Sequence, residues 1–134
     1  MNFSVEHLGL PARNPLSLKD WYVTALDAQL VFENGQTPSA FFLRLPGGLM
    51  LELYQCESSL PETARNSLAG FRHLALQVDS IETARAALEQ KGILFTEPVK
   101  PAGGGGRVLF FQDGEGNLLH LVERSKDSIF RSQE

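Results

Sequence analysis

The 134-residue sequence predicts an α+β fold built from two tandem βαβββ modules. Three observations carry that expectation. His7-Leu8-Gly9-Leu10 returns as His73-Leu74-Ala75-Leu76 after 66 residues, and Leu51-Glu52-Leu53 returns as Leu119-His120-Leu121 after 68. Offsets that nearly agree mark a duplicated unit. Each half also runs through the same order of strand-like, helix-like and again strand-like segments. A composition that is 43% hydrophobic is enough to bury an ordinary core, so one compact domain spanning 1–134 is expected.

In the first module, about 1–56, Val5 to Leu10 is short and apolar and is followed by Pro11, which predicts a strand ending in a turn, with His7 inside it. Asn14-Pro15 then opens a helix, Asn as N-cap and Pro at the first helical position. Leu18, Trp21, Tyr22 and Ala25 recur at helical spacing as its core face. Ala28 to Glu33, Ala40 to Leu45 and Leu49 to Gln55 read as three strands, separated by turn formers at Asn34-Gly35 and Pro46-Gly47-Gly48. Residues 57–70 are a polar connector with room for a helical turn.

The second module, about 71–124, repeats the plan. Phe71 to Val78 is strand-like, and Asp79 with Glu82 has the spacing of a capping box. Ile81, Ala84 and Leu88 give the helix its apolar face, and Gly92 closes it. Ile93 to Phe95, Arg107 to Gln112 and Asn117 to Glu123 are the strand candidates, with a flexible glycine loop at 103–106. Residues 125–134 are expected to form a loosely held polar tail.

Charge and composition exclude several classes of partner. Twelve basic against sixteen acidic residues give a net charge of -4 with no basic stripe, which argues against nucleic acid. No apolar run approaches the roughly 20 residues of a membrane span, and MNFSVEHLGL lacks the pattern of a signal peptide, so a cytoplasmic protein is expected. Cys56 is the only cysteine, which rules out an intrachain disulfide and fits a reducing compartment.

The repeat has a chemical consequence. His7 and His73 occupy equivalent places on first strands, and Glu52 and His120 occupy equivalent places on last strands. A pseudo-twofold axis would bring these four together as ligands of one divalent ion. Strand alternation puts Met50, Glu52 and Tyr54 on one face, and likewise Leu118, His120 and Val122; Glu123 falls on the opposite face from His120. A lone histidine on an apolar strand is ordinarily a satisfied core or surface group. Here all three histidines of the chain fall on the ligand positions. Imidazoles with one carboxylate suit Zn, Fe, Ni, Mn or Co better than Mg or Ca, and metal identity stays open.

These residues resemble the vicinal oxygen chelate superfamily, which includes glyoxalase I, extradiol dioxygenases, epimerases and the fosfomycin and bleomycin resistance proteins. FFQDGEGNLLHLVE at 110–123 is similar to the family's closing segment, and LMLELYQ at 49–55 to the end of its first module. The resemblance implies a curved mixed-sheet cup of the glyoxalase/bleomycin resistance/dioxygenase type, with a divalent metal on His7, Glu52, His73 and His120 and open positions where vicinal oxygens of a small-molecule substrate chelate. The departure is at 120, where the family pattern usually carries glutamate. Glu52 then remains as the one carboxylate available as a catalytic base, and lyase, isomerase or dioxygenase chemistry all stay open.

Tyr54 and Arg107 are the candidate substrate-binding residues, Tyr54 by its parity with Glu52 and Arg107 as a cation following the glycine run. Cys56 shares that parity, but no base or cation stands beside it in the sequence, so an inert thiol is expected. One member of each pair Phe41/Phe42 and Phe110/Phe111 is expected to line the cup. The competing function is a binding or sequestering protein of the bleomycin-resistance type. A homodimer is the expected assembly, and whether one chain or two complete each cup stays open.

Overall fold

The computed structural model describes residues 2–131 and divides the chain into two compact units, Met1–Pro61 and Glu62–Glu134. Each unit is a βαβββ module containing one four-stranded mixed sheet and one helix. The α+β expectation therefore holds, and so does the duplication.

In the first unit the order is β1 (Leu8–Ala12), α1 (Pro15–Leu26), β2 (Gln29–Glu33), β3 (Phe41–Arg44) and β4 (Met50–Gln55). The sheet runs β1-β4-β3-β2, with β1 parallel to β4 and the other neighbours antiparallel. Pro11 lies within β1 instead of ending it, and His7 immediately precedes the strand. An edge strand tolerates this, because a proline there forfeits no ladder bond that the sheet requires. Asn14 caps α1 by accepting from the Ser17 N–H at 3.1 Å, and Pro15 occupies a position whose N–H has no helical acceptor anyway. Leu18, Tyr22 and Ala25 are buried with Leu43, Leu51 and Leu53, the helix-facing residues of β3 and β4.

In the second unit β5 (His73–Val78), α2 (Ile81–Gln90), β6 (Lys100–Pro101), β7 (Arg107–Gln112) and β8 (Leu118–Glu123) repeat the sheet order as β5-β8-β7-β6. Their registers superpose on the first unit: Gly9 pairs with Glu52 as Ala75 pairs with His120, and Phe42 pairs with Glu52 as Phe110 pairs with His120. The hairpin turns correspond as well. Leu45 N–H donates to Leu49 O and Gly48 N–H to Leu45 O, while Asp113 N–H donates to Asn117 O and Gly116 N–H to Asp113 O. In the second turn the Asp113 carboxylate also accepts from the N–H groups of Glu115 and Asn117 and from the Asn117 side chain. That bonding accounts for a buried aspartate in a hairpin.

Four expectations change here. The third strand-like run, Ile93 to Phe95, is not a strand; Phe95 packs on Phe111 with ring centroids 5.1 Å apart, and the edge strand is the two-residue β6 further on. Burial of Phe95 accounts for one residue of that apolar run without strand pairing, while Leu94 is exposed. The N-cap of α2 is Ser80, extended at φ -143° and accepting from the Thr83 N–H, while Asp79 pairs instead with Arg131 at 3.0 Å. Residues 57–70 hold turns and bends but no helix. The glycine loop and tail are tied down: Arg124 Nη1 donates to the carbonyls of Gly103 and Gly105, and its guanidinium covers the Phe130 ring at 4.1 Å. Residues 132–134 of that tail lie outside the described residues.

Gly106 is the position where the loop most needs glycine. Its φ is +96°, and a Cβ there would overlap the Glu123 carbonyl oxygen. Gly105 has the same φ of +96° but faces open space. Gly106→Ala is expected to lower stability by more than ~2 kcal/mol, and Gly105→Ala by about 1 kcal/mol, measured by urea denaturation. Equal losses would show that backbone conformation alone matters in this loop.

Candidate metal centre

The candidate ligands lie on the sheet faces turned away from the helices. In the first unit, Leu51 and Leu53 alternate with Met50, Glu52 and Tyr54, so burying the leucines under α1 turns Glu52 and Tyr54 to the other side. His7 extends the same face at the entrance to β1, and its Nε2 lies 3.4 Å from Glu52 Oε1. Its other nitrogen, Nδ1, lies 2.9 Å from Glu6 Oε1. Phe42, register partner of Glu52, meets the His7 ring edge-on with centroids 5.3 Å apart.

The second unit places His73 and His120 together, ring centroids 4.8 Å apart. Phe110 packs on both, 4.8 Å from His120 and 5.9 Å from His73. His73 Nδ1 lies 2.7 Å from Asn66 Oδ1, and His120 Nδ1 lies 3.2 Å from the Leu121 carbonyl oxygen. His120 is only 7% exposed, and burial pushes its pKa below the usual imidazole range, with the Leu121 carbonyl opposing and His73 and Arg124 adding to the fall. A neutral imidazole is the form that ligates metal.

Each histidine has Nδ1 within hydrogen-bond distance of an oxygen, the contact that an imidazole ligating a metal through Nε2 makes with its other nitrogen. The separation between His7 Nε2 and Glu52 Oε1 is longer than a good hydrogen bond. It matches the roughly 3.3–3.4 Å between neighbouring donors on a tetrahedral ion with ~2.0–2.1 Å bonds. The residues fit a divalent metal as two donor pairs, one on each unit. Among the described residues, no three His, Cys, Asp or Glu side chains gather around one point.

The remaining candidates divide. Tyr54 lies on the ligand face, 38% exposed, with its ring over Gly9, where an added Cβ would come within 3.3 Å of Tyr54 Cε1. Phe42 and Phe110 are the inward members of their pairs, while Phe41 and Phe111 are buried on the helix side. Arg107 has the parity of Leu109 and Phe111, opposite to Phe110, and its Nη2 donates to Glu82 at 2.9 Å and to Glu123 at 2.9 Å. It is a helix-side residue. Bonds to Glu82 and then Glu123 hold its pKa above the ordinary value. Glu123 also accepts from the Ile81 N–H at the start of α2, and that bond, followed by Arg107, holds its carboxyl below the usual range. Sequence reading missed Glu6 and Asn66. Glu6 is legible as the acidic neighbour of His7, whereas Asn66 sits in a polar connector with no periodicity to single it out.

The Glyoxalase/Bleomycin resistance protein/Dioxygenase superfamily model matches residues 4–121, and the chain belongs to that superfamily. It is 30% identical over 125 residues to the uncharacterized protein YwkD of Bacillus subtilis (strain 168), covering 90% of this chain and 97% of that one. A crystal structure of the glyoxalase family protein from Enterococcus faecalis superposes with a TM-score of 0.74 at 30% identity, over 90% of this chain and 97% of that chain. A point mutant of the fosfomycin resistance protein FosX from Listeria monocytogenes, crystallised with Mn(II) and 1S,2S-dihydroxypropylphosphonic acid, shares the fold with a TM-score of 0.70 at 17% identity, over 95% and 94% of the two chains. No helix among the described residues is long and apolar enough to cross a membrane.

The Glu123 contacts give a pH signature. A carboxyl with a lowered folded pKa contributes stability above its unfolded value of about 4.3, and the contribution is lost as pH falls through the folded value. Glu123→Gln is expected to be less stable than wild type at neutral pH, by a margin that narrows below about pH 4.3 in urea titrations. A margin independent of pH would remove the carboxylate from this role.

Proposed function

We propose that this superfamily member is a divalent-metal-dependent enzyme of the glyoxalase/dioxygenase type. It acts on a small oxygenated metabolite through two vicinal oxygens, with His7, Glu52, His73 and His120 as the metal ligands. The observation that carries the reading is the common bonding of the histidines: three of three present Nε2 with Nδ1 tied to oxygen, on the faces that also carry Glu52 and the phenylalanines. Satisfied structural histidines have no need to share this arrangement. An ion bound by these residues supplies Lewis acidity toward adjacent substrate oxygens, which acidifies the neighbouring carbon.

The chain's own groups supply the rest. Glu52 is the one carboxylate in the set and is placed to accept a proton at its carboxylate oxygen. His120 is kept neutral, so it serves as a ligand and not as an acid. The Tyr54 hydroxyl would donate to a substrate oxygen, and Phe42 and Phe110 pack against the histidine rings. Lyase, isomerase and dioxygenase chemistry would all use chelation of the oxygen pair, and the Glu52 carboxylate would serve those that move a carbon-bound proton. A homodimer working on a small molecule in the cytoplasm fits the acidic charge balance and the lone Cys56.

Elemental analysis is the direct test. Purified protein is expected to carry near-stoichiometric divalent metal, lost in His7→Ala and His73→Ala. Asn66→Ala, which removes only the bond that orients His73, is expected to weaken metal affinity about 10–100-fold while leaving the fold intact by circular dichroism. Glu52→Gln is expected to abolish turnover. Protein that holds no metal yet binds small molecules equally well in all these variants would establish the sequestering alternative.

A further inference from the structure

Asn34-Gly35 opens the loop between β2 and β3, and it is the one place in the chain where glycine follows asparagine. The Asn34 side chain turns back on its own loop. Its Oδ1 accepts from the Gln36 N–H, the Ser39 hydroxyl and the Ala40 N–H, each at 3.1 Å, and the Ser39 proton is shared with the Ala40 carbonyl at 3.2 Å. The Asn34 N–H donates to that carbonyl at 3.3 Å. A neutral amide oxygen has two lone pairs, so three donors are more than it accepts well, whereas an oxygen carrying a full negative charge has a third pair to offer. The donors suit a charge that the resting amide does not carry. Beside them stands the Gly35 nitrogen, whose N–H donates to no acceptor among the described residues. Gly35 is exposed at φ +70°, and a Cβ there would meet nothing within 4 Å, so water reaches its peptide group from the open side.

We propose that Asn34 is a self-modification site, whose amide closes on the Gly35 nitrogen to a cyclic imide and is then hydrolysed to a carboxylate, with water as the only co-reactant. The site lies apart from the candidate metal ligands and does not depend on the metal-dependent reading. The Gly35 nitrogen gives its proton to water or hydroxide and attacks Asn34 Cγ. The new N–Cγ bond moves an electron pair onto Oδ1, where the Gln36, Ser39 and Ala40 donors hold the developing oxyanion, and its collapse breaks the Cγ–Nδ2 bond and releases ammonia. Nothing is oxidised or reduced. Water then opens the imide at either carbonyl. Opening at Cγ leaves aspartate, whose carboxylate keeps the same three donors in charge-assisted bonds, while opening at the main-chain carbonyl leaves isoaspartate, which lengthens the backbone by one carbon and loses that fit. Either product adds one negative charge to a chain of net charge -4.

The test incubates the full chain at mildly alkaline pH and follows it by isoelectric focusing and by mass spectrometry of the tryptic peptide 20–44, released between Lys19 and Arg44. The mass gain of replacing NH2 by OH is expected at Asn34 ahead of Asn2, Asn14, Asn66 and Asn117. It is expected about tenfold faster in the folded protein than in the same chain unfolded in urea, because only the folded loop fixes the three donors. Ser39→Ala, which removes one donor, is expected to slow the folded rate about threefold and to leave the unfolded rate unchanged, while Ser39→Thr keeps the hydroxyl and the wild-type rate. A folded rate at or below the unfolded one overturns the proposal, since the three bonds then protect the amide. So does a folded rate that Ser39→Ala leaves unchanged or raises.

Discussion

The two-residue period of β4 and β8 is the constraint on which the rest of the structure depends. Each of these strands lies between a parallel neighbour and an antiparallel one, so its register fixes three strands at once. Leu51, Leu53, Leu119 and Leu121 are all 2% exposed or less, and burying them against the helix side commits Glu52 and His120 to the other face. A one-residue slip would put the carboxylate and the imidazole into the cores and the leucines into water. Fully burying each leucine contributes on the order of 2 kcal/mol, so four of them outweigh any local preference of the ligand residues. The donors stay where apolar burial sends them.

The second constraint is polar and runs along the opposite face. Arg107, Glu82 and Glu123 join β7, β8 and the start of α2, and Glu123 supplies an anion to an N–H that the helix itself leaves without an acceptor. The network lies at the surface and contributes modestly to stability, but it determines which charged residues are free for chemistry. Arg107 and Glu123 are occupied with holding the sheet to its helix.

Much of this was legible in the sequence because it follows from periodicity. The repeat of His-Leu-x-Leu and of the closing strands carries the module plan, and alternation puts His120 and Glu123 on opposite faces. The helix start at Asn14-Pro15 was equally plain. The errors arose where short-range pattern competes with tertiary packing. Ile93 to Phe95 has the composition of a strand, yet Phe95 finds its partner in Phe111 and the chain pairs only at Lys100–Pro101. Asp79 and Ser80 are both good N-caps, and only the extended backbone at Ser80 decides between them. Asn66 could not be found at all, since a side chain reaching from a connector to a histidine seven residues on leaves no periodic trace.

Duplication also explains why the two donor pairs differ in character. Equivalent backbone positions carry histidine at 7 and 73, but glutamate at 52 and histidine at 120, and each substitution is matched by its surroundings. Glu52 is about one-third exposed beside His7, a setting that leaves its carboxylate in contact with water. His120 is buried beneath Phe110 and beside His73, a setting that penalises charge and keeps the ring neutral. A carboxylate at 120 would be costly in that environment without a cation to neutralise it, whereas an imidazole is stable there whether or not an ion is bound. The second unit therefore holds its two imidazoles in place through the packing of aromatic rings, while the first carries the carboxylate at the equivalent position.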